Sequence, residues 1–149
     1  MAHVTNVSDA VARQVEYALK GDSIEFYDGG QGGRTQAIEM AAGLSAEEHQ
    51  ARLDAALQRV LTNLGGLEAD QWTLPISYRD GGILDGALAL WRELVIHLSD
   101  LDVGRGPETW SKDFCMYLLT FLEARVPADT RLVLLPLGLE KITLGSGDN

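Results

Sequence analysis

Glu93 and His97 stand four residues apart in Leu88-Ala89-Leu90-Trp91-Arg92-Glu93-Leu94-Val95-Ile96-His97-Leu98, so a helix there sets a carboxylate and an imidazole on one face. Their neighbours are mostly large and apolar, which predicts a helix buried on most sides. An ionised Glu is costly in such a place unless a cation compensates it, and a divalent metal would do so. The plainer alternative is an i, i+4 hydrogen bond or ion pair on a solvated face. A catalytic divalent site normally takes three protein ligands and keeps one position open. A third ligand is therefore needed, and the chain has only two other histidines.

His49 follows Glu47 and Glu48 at the front of an amphipathic segment, where a solvated side chain is expected. His3 precedes Val7 by four residues and Ala10 by seven, on the edge of an apolar stripe, so it either points into a core or frays at the helix start. Asp100, three residues after His97, shares its face, where it orients the imidazole from behind, binds metal itself or only decorates the helix end, the first being the preferred reading. Arg92 and Arg105 are candidates to hold an anionic ligand, although solvent exposure is the ordinary fate of an arginine. Cys115 lies among Phe114, Met116, Tyr117 and Leu118, the surroundings of a buried inert thiol.

The elements that must position these groups are mainly helical. Val4, Val7, Val11, Val15, Ala18 and Leu19 follow helical spacing up to a stop at Gly21. Asp28-Gly29-Gly30-Gln31-Gly32-Gly33 reads as a loop, without the Gly-Lys-Ser/Thr ending or the preceding strand of a phosphate cradle. Helix resumes near Thr35 and breaks at Gly43. Ser45 and Glu48 form a capping box for a long helix that Gly65-Gly66 ends through a left-handed cap. Leu74, Ile76 and Tyr78 alternate before Arg79-Asp80-Gly81-Gly82, which predicts a small hairpin leading into the Glu93 helix with Asp85 as its N-cap. Gly104 to Pro107 closes that helix, and Trp110, Phe114, Tyr117, Leu118, Phe121 and Leu122 mark another, ending before Pro127. Arg131–Leu135 and Lys141–Leu144 look like strands, either a ribbon along the helices or the opening of a second domain. The expected division is thus a helical domain over 1–127 and a β tail over 128–149.

With 149 residues the chain is about one domain long, large enough to fold without a staple. Twelve basic against twenty-two acidic residues give a formal charge of −10, which repels nucleic acid and anionic bilayers and serves solubility. The single cysteine, the absence of an export pattern and the lack of any apolar run near the roughly 20 residues of a membrane span point to a soluble cytoplasmic protein.

Trp91-Arg92-Glu93-Leu94-Val95-Ile96-His97-Leu98-Ser99-Asp100-Leu101 resembles the Arg-Glu-x-x-x-His-x-x-Asp-Leu segment of the mycothiol-dependent maleylpyruvate isomerase family, part of the DinB-like metal-binding helical bundles. Ala2-His3 with Asp9-Ala10 is similar to the end of that family's first long helix. The loop with Arg34, the capped helix from Ser45, the Arg79-Asp80-Gly81 turn and Gly106-Pro107 with Trp110 fall in matching order.

The resemblance implies an up-and-down bundle with an incomplete first helix, a small β-hairpin and a short C-terminal β segment. It implies a metal triad of His3, Glu93 and His97, usually holding zinc, with mycothiol as the thiol cofactor. The implied activity is isomerisation of maleylpyruvate, or a related thiol transfer, in which a thiolate adds to a cis double bond, permits rotation and leaves. Its implied partners are a small thiol and an electrophile. By the same resemblance relatives carry a longer opening helix than the two residues that precede His3 here, and their C-terminal domain, which supplies a substrate-binding arginine, is expected to be represented only by its first strands. A non-catalytic metal-binding module acting through a homodimer or a protein partner is the rival expectation.

Overall fold

Val4, Val7, Val11, Val15 and Ala18 line one side of the first helix, α1 (Ala2–Ala18), and all are buried. Gly21, at φ 77°, turns the chain out of it, with the Asp22 N–H returning 3.0 Å to the Tyr17 carbonyl. The computed structural model describes residues 1–147. It contains α2 (Gly30–Ala41), α3 (Ala46–Gly65), α4 (Ile83–Asp100) and α5 (Lys112–Glu123), followed by β1 (Leu132–Leu134) and β2 (Ile142–Leu144). The protein is thus mainly helical with one two-stranded hairpin.

Packing divides the chain into two units, the first Met1–Leu101 and the second beginning at Asp102. α5 groups with the hairpin in the second unit. The second unit opens with Asp102 at φ 51° and Gly104 at φ 72°.

In the first unit α1 is the central element, packed most extensively on α3, then on α4, and least on α2. Val7, Val11, Ala12, Val60 and Leu90 form one core cluster, and Val15, Ala18, Ile76 and Ile83 form a second. α3 begins as its sequence predicts: Ser45 Oγ accepts from the Glu48 N–H (3.2 Å) and the Glu48 carboxylate accepts from the Ser45 N–H (2.8 Å). Its end differs, because Gly66 has φ −93° and no left-handed cap forms.

Three further details depart from expectation. Gly30 to Gly33, read as loop, are the first turn of α2. A helical glycine costs about 1 kcal/mol relative to alanine, but a side chain on Gly33 would collide with the Asp28 carbonyl. The 74–82 hairpin is a tight turn with Arg79 and Asp80 both at positive φ, closed by a single bridge between Pro75 and Gly82 and too short to make strands. Asp85 is three residues inside α4, and its carboxylate accepts the Gly82 N–H at 2.8 Å, so the N-cap position itself falls to Gly82.

In the second unit β1 and β2 pair antiparallel with Val133 opposite Thr143. Phe114 of α5 is buried at 1 % exposure, its ring edge-on to Trp110. Cys115 is a free, half-buried thiol.

Candidate metal centre

α1 delivers His3 from its first turn, and α4 delivers Glu93 and His97 one turn apart. The packing of α1 on α4 brings them together across 90 residues of chain. His3 Nε2 lies 3.0 Å from Glu93 Oε2 and His97 Nε2 lies 3.2 Å from the same oxygen. The two rings meet edge-on with centroids 5.1 Å apart, and one donor atom from each of the three residues falls within 4.8 Å of the other two. The Glu93 and His97 pair marked by spacing and the His3 that the resemblance added to it thus form a single cluster.

Each donor has a partner behind it. Arg92 Nη2 donates to Glu93 Oε1 at 3.1 Å and stands 3.5 Å from the Tyr78 hydroxyl. Arg92 is 9 % exposed, so the guanidinium considered as a holder of anionic ligands is a buried partner of the adjacent carboxylate. Asp100 Oδ2 lies 2.7 Å from His97 Nδ1, behind the imidazole as its spacing suggests. Arg34 Nη2, from α2, lies 3.1 Å from His3 Nδ1. That contact has no local signature in the sequence, since 31 residues separate the pair.

Burial works to raise the Glu93 pKa, but hydrogen bonds from His3 and Arg92, together with the Arg92 charge, outweigh it and hold the carboxyl below the usual range. The carboxylate is therefore ionised and ready to donate at neutral pH.

The surroundings are wetter than the apolar sequence suggests. His97 is 36 % exposed in its side chain, and Leu98 and Leu101 are exposed. α4 spends its buried face early, on Ile83, Gly86, Ala89, Leu90 and Arg92, and its last turns are only partly covered. Val4, Leu53, Leu94, Leu98 and Leu101 border a recess of about 400 Å³ beside His3 and His97. His49, expected in solvent, is half-buried in a separate recess with Thr5, Asn6 and Arg52 and has no part in the cluster. Arg105 is exposed in the second unit.

A family model described as the mycothiol maleylpyruvate isomerase N-terminal domain matches residues 1–102. The chain belongs to this family. The match takes in the whole first unit, with the three donors and Arg34, Arg92 and Asp100. No curated protein and no solved structure matches the chain. Among the described residues no helix of this family member is long and apolar enough to cross a membrane.

Proposed function

We propose that His3, Glu93 and His97 hold one divalent cation, zinc by preference, and that this centre serves a mycothiol-dependent isomerase or thiol-transfer reaction of the maleylpyruvate isomerase kind. The observation that carries the reading is the convergence of two imidazole nitrogens on one carboxylate oxygen, at 3.0 and 3.2 Å. Two imidazoles and a carboxylate are an ordinary donor set for catalytic zinc, with a fourth position left for a small molecule. The family description supplies the thiol and the class of reaction.

A bound cation of this kind lowers the proton affinity of a thiol, so that thiolate is available near neutral pH. The chain's own groups do the rest. Arg92 fixes Glu93 through Oε1 and leaves Oε2 aimed at the imidazoles. Asp100 accepts from His97 Nδ1, which turns the Nε2 lone pair inward. The apolar wall of Val4, Leu53, Leu94 and Leu98 gives the electrophile an open recess beside the imidazoles. A cytoplasmic setting, where thiols stay reduced, suits such a cofactor.

Metal analysis of the purified protein, beside a His97→Ala variant, tests the centre, and mycothiol-dependent conversion of maleylpyruvate tests the chemistry. The expected result is one divalent ion per chain in the parent and much less in the variant. A parent without stoichiometric metal would overturn the reading. Metal without thiol-dependent turnover would favour a non-catalytic module.

A further inference from the structure

The two imidazoles of the centre are backed by partners of opposite character. Behind His97 stands a carboxylate, Asp100, at 2.7 Å from Nδ1. A carboxylate only accepts, so it keeps a proton on Nδ1 and leaves Nε2 as the lone-pair nitrogen a cation needs. Behind His3 stands a guanidinium, Arg34, at 3.1 Å from Nδ1. A guanidinium only donates, so Nδ1 of His3 must be the acceptor and the ring proton sits on Nε2. The 3.0 Å contact from that Nε2 to Glu93 Oε2 agrees, because the carboxylate needs a donor there. His3 is thus held in the tautomer that does not bind metal through Nε2, whereas His97, whose Nε2 stands 3.2 Å from the same carboxylate oxygen, has in Asp100 an acceptor for a proton on Nδ1 when a cation takes its Nε2.

We infer that Arg34 opposes cation binding at this centre: a divalent ion takes Nε2 of His3 only as the guanidinium withdraws from Nδ1. The inference rests on the metal centre proposed above. With a cation on Nε2 the ring proton moves to Nδ1, where it would face the N–H groups of Arg34, two donors with no acceptor between them. Removing both ring protons instead would make an imidazolate, a much stronger base than a neutral imidazole. The guanidinium has somewhere to go. It already lies 5.5 Å from the centre of the Tyr27 ring and borders a cleft of about 320 Å³ that also holds the carboxylates of Asp9 and Asp28. Arg34 is therefore a positioning residue that sets how tightly the site takes its ion, and its place differs between the empty and loaded protein.

Competition with a chromophoric chelator at fixed pH and ionic strength measures the zinc affinity of the full chain and of Arg34→Gln and Arg34→Met. Glutamine can turn an amide oxygen toward Nδ1–H, while methionine removes the donor and offers no acceptor. The expected order is Gln tighter than Met and Met tighter than parent, with Gln about tenfold above the parent, the scale of one hydrogen bond. Variants no tighter than the parent, or Met equal to Gln so that charge alone accounts for the gain, would overturn the inference. Nitrogen-detected imidazole spectra give a readout independent of affinity: His3 protonated on Nε2 without zinc and on Nδ1 with it. A tautomer that does not change also sinks the idea. Failure of parent and variants alike to bind zinc would remove the metal centre itself, and this inference with it. Binding without the stated order removes only the role of Arg34.

Discussion

Gln14 is a polar residue set among valines on α1, at 3 % exposure, and its side chain ties two connections to the helix. Its Nε2 donates to the carbonyls of Ile24 (3.2 Å) and Glu25 (2.9 Å), and its Oε1 accepts the Ser77 N–H at 2.9 Å. The first connection leads to α2 with Arg34, the second to α4 with Glu93 and His97. Gln14→Leu keeps the size but strands these backbone groups. The Glu25 carbonyl retains Arg13 Nη1 at 3.2 Å, and the exposed Ser77 can turn to water, so the loss centres on Ile24. At about 1–3 kcal/mol for a buried group left without a partner, the expected cost is about 2 kcal/mol. For a unit of this size that lowers Tm by roughly 8–10 °C. Gln14→Glu preserves the acceptor for Ser77 but points a carboxylate at two carbonyls, and is expected to cost about 3 kcal/mol or more. Urea unfolding of the full chain at neutral pH, followed by circular dichroism, reads both. A leucine variant within about 0.5 kcal/mol of the parent, or a glutamate variant milder than leucine, would refute the reasoning.

Asp100→Ala should weaken zinc binding about tenfold, the low end of the range for groups that orient a ligating histidine, because the Asp100 side chain is 61 % exposed and water can replace it; unchanged affinity in a chelator competition would remove Asp100 from the site. Glu16 is held below its usual pKa, first by hydrogen bonding to Arg59 at 2.6 and 2.7 Å, so its stabilising share is complete above the unfolded value and is lost as pH falls through the lower folded value. Asp9, raised chiefly by burial and pulled back by Arg59, carries the opposite sign: protonation relieves it. Both effects shrink the stability gap between the parent and Arg59→Gln as pH drops from about 6 to about 3. A gap in urea midpoints that stays constant over that range would contradict the assignment.

What could be read from the chain was what lies close together along it. The valine spacing of α1, the Ser45 and Glu48 cap, and the Glu93 and His97 pair are all set within one or two helical turns. His3 could not be tied to that pair by spacing, because its partner lies 90 residues away and only the packing of α1 on α4 joins them. Family resemblance supplied that link. Arg34 and Gln14 act through long side chains that reach other elements, and nothing in their neighbours marks them out. The glycines of α2 misled for a related reason: glycine disfavours helix by local propensity, and the close approach of the Asp28 carbonyl to Gly33 is a tertiary fact. The moist character of the centre was equally hidden, since Leu98 and Leu101 are apolar in sequence yet exposed at the end of α4.

The grip of Arg92 on Glu93 Oε1 bears on the denticity of this acid. Were a cation held as proposed, the untethered Oε2 would be its nearer tooth, and the seat that a chelating carboxylate would fill would fall to a visiting molecule.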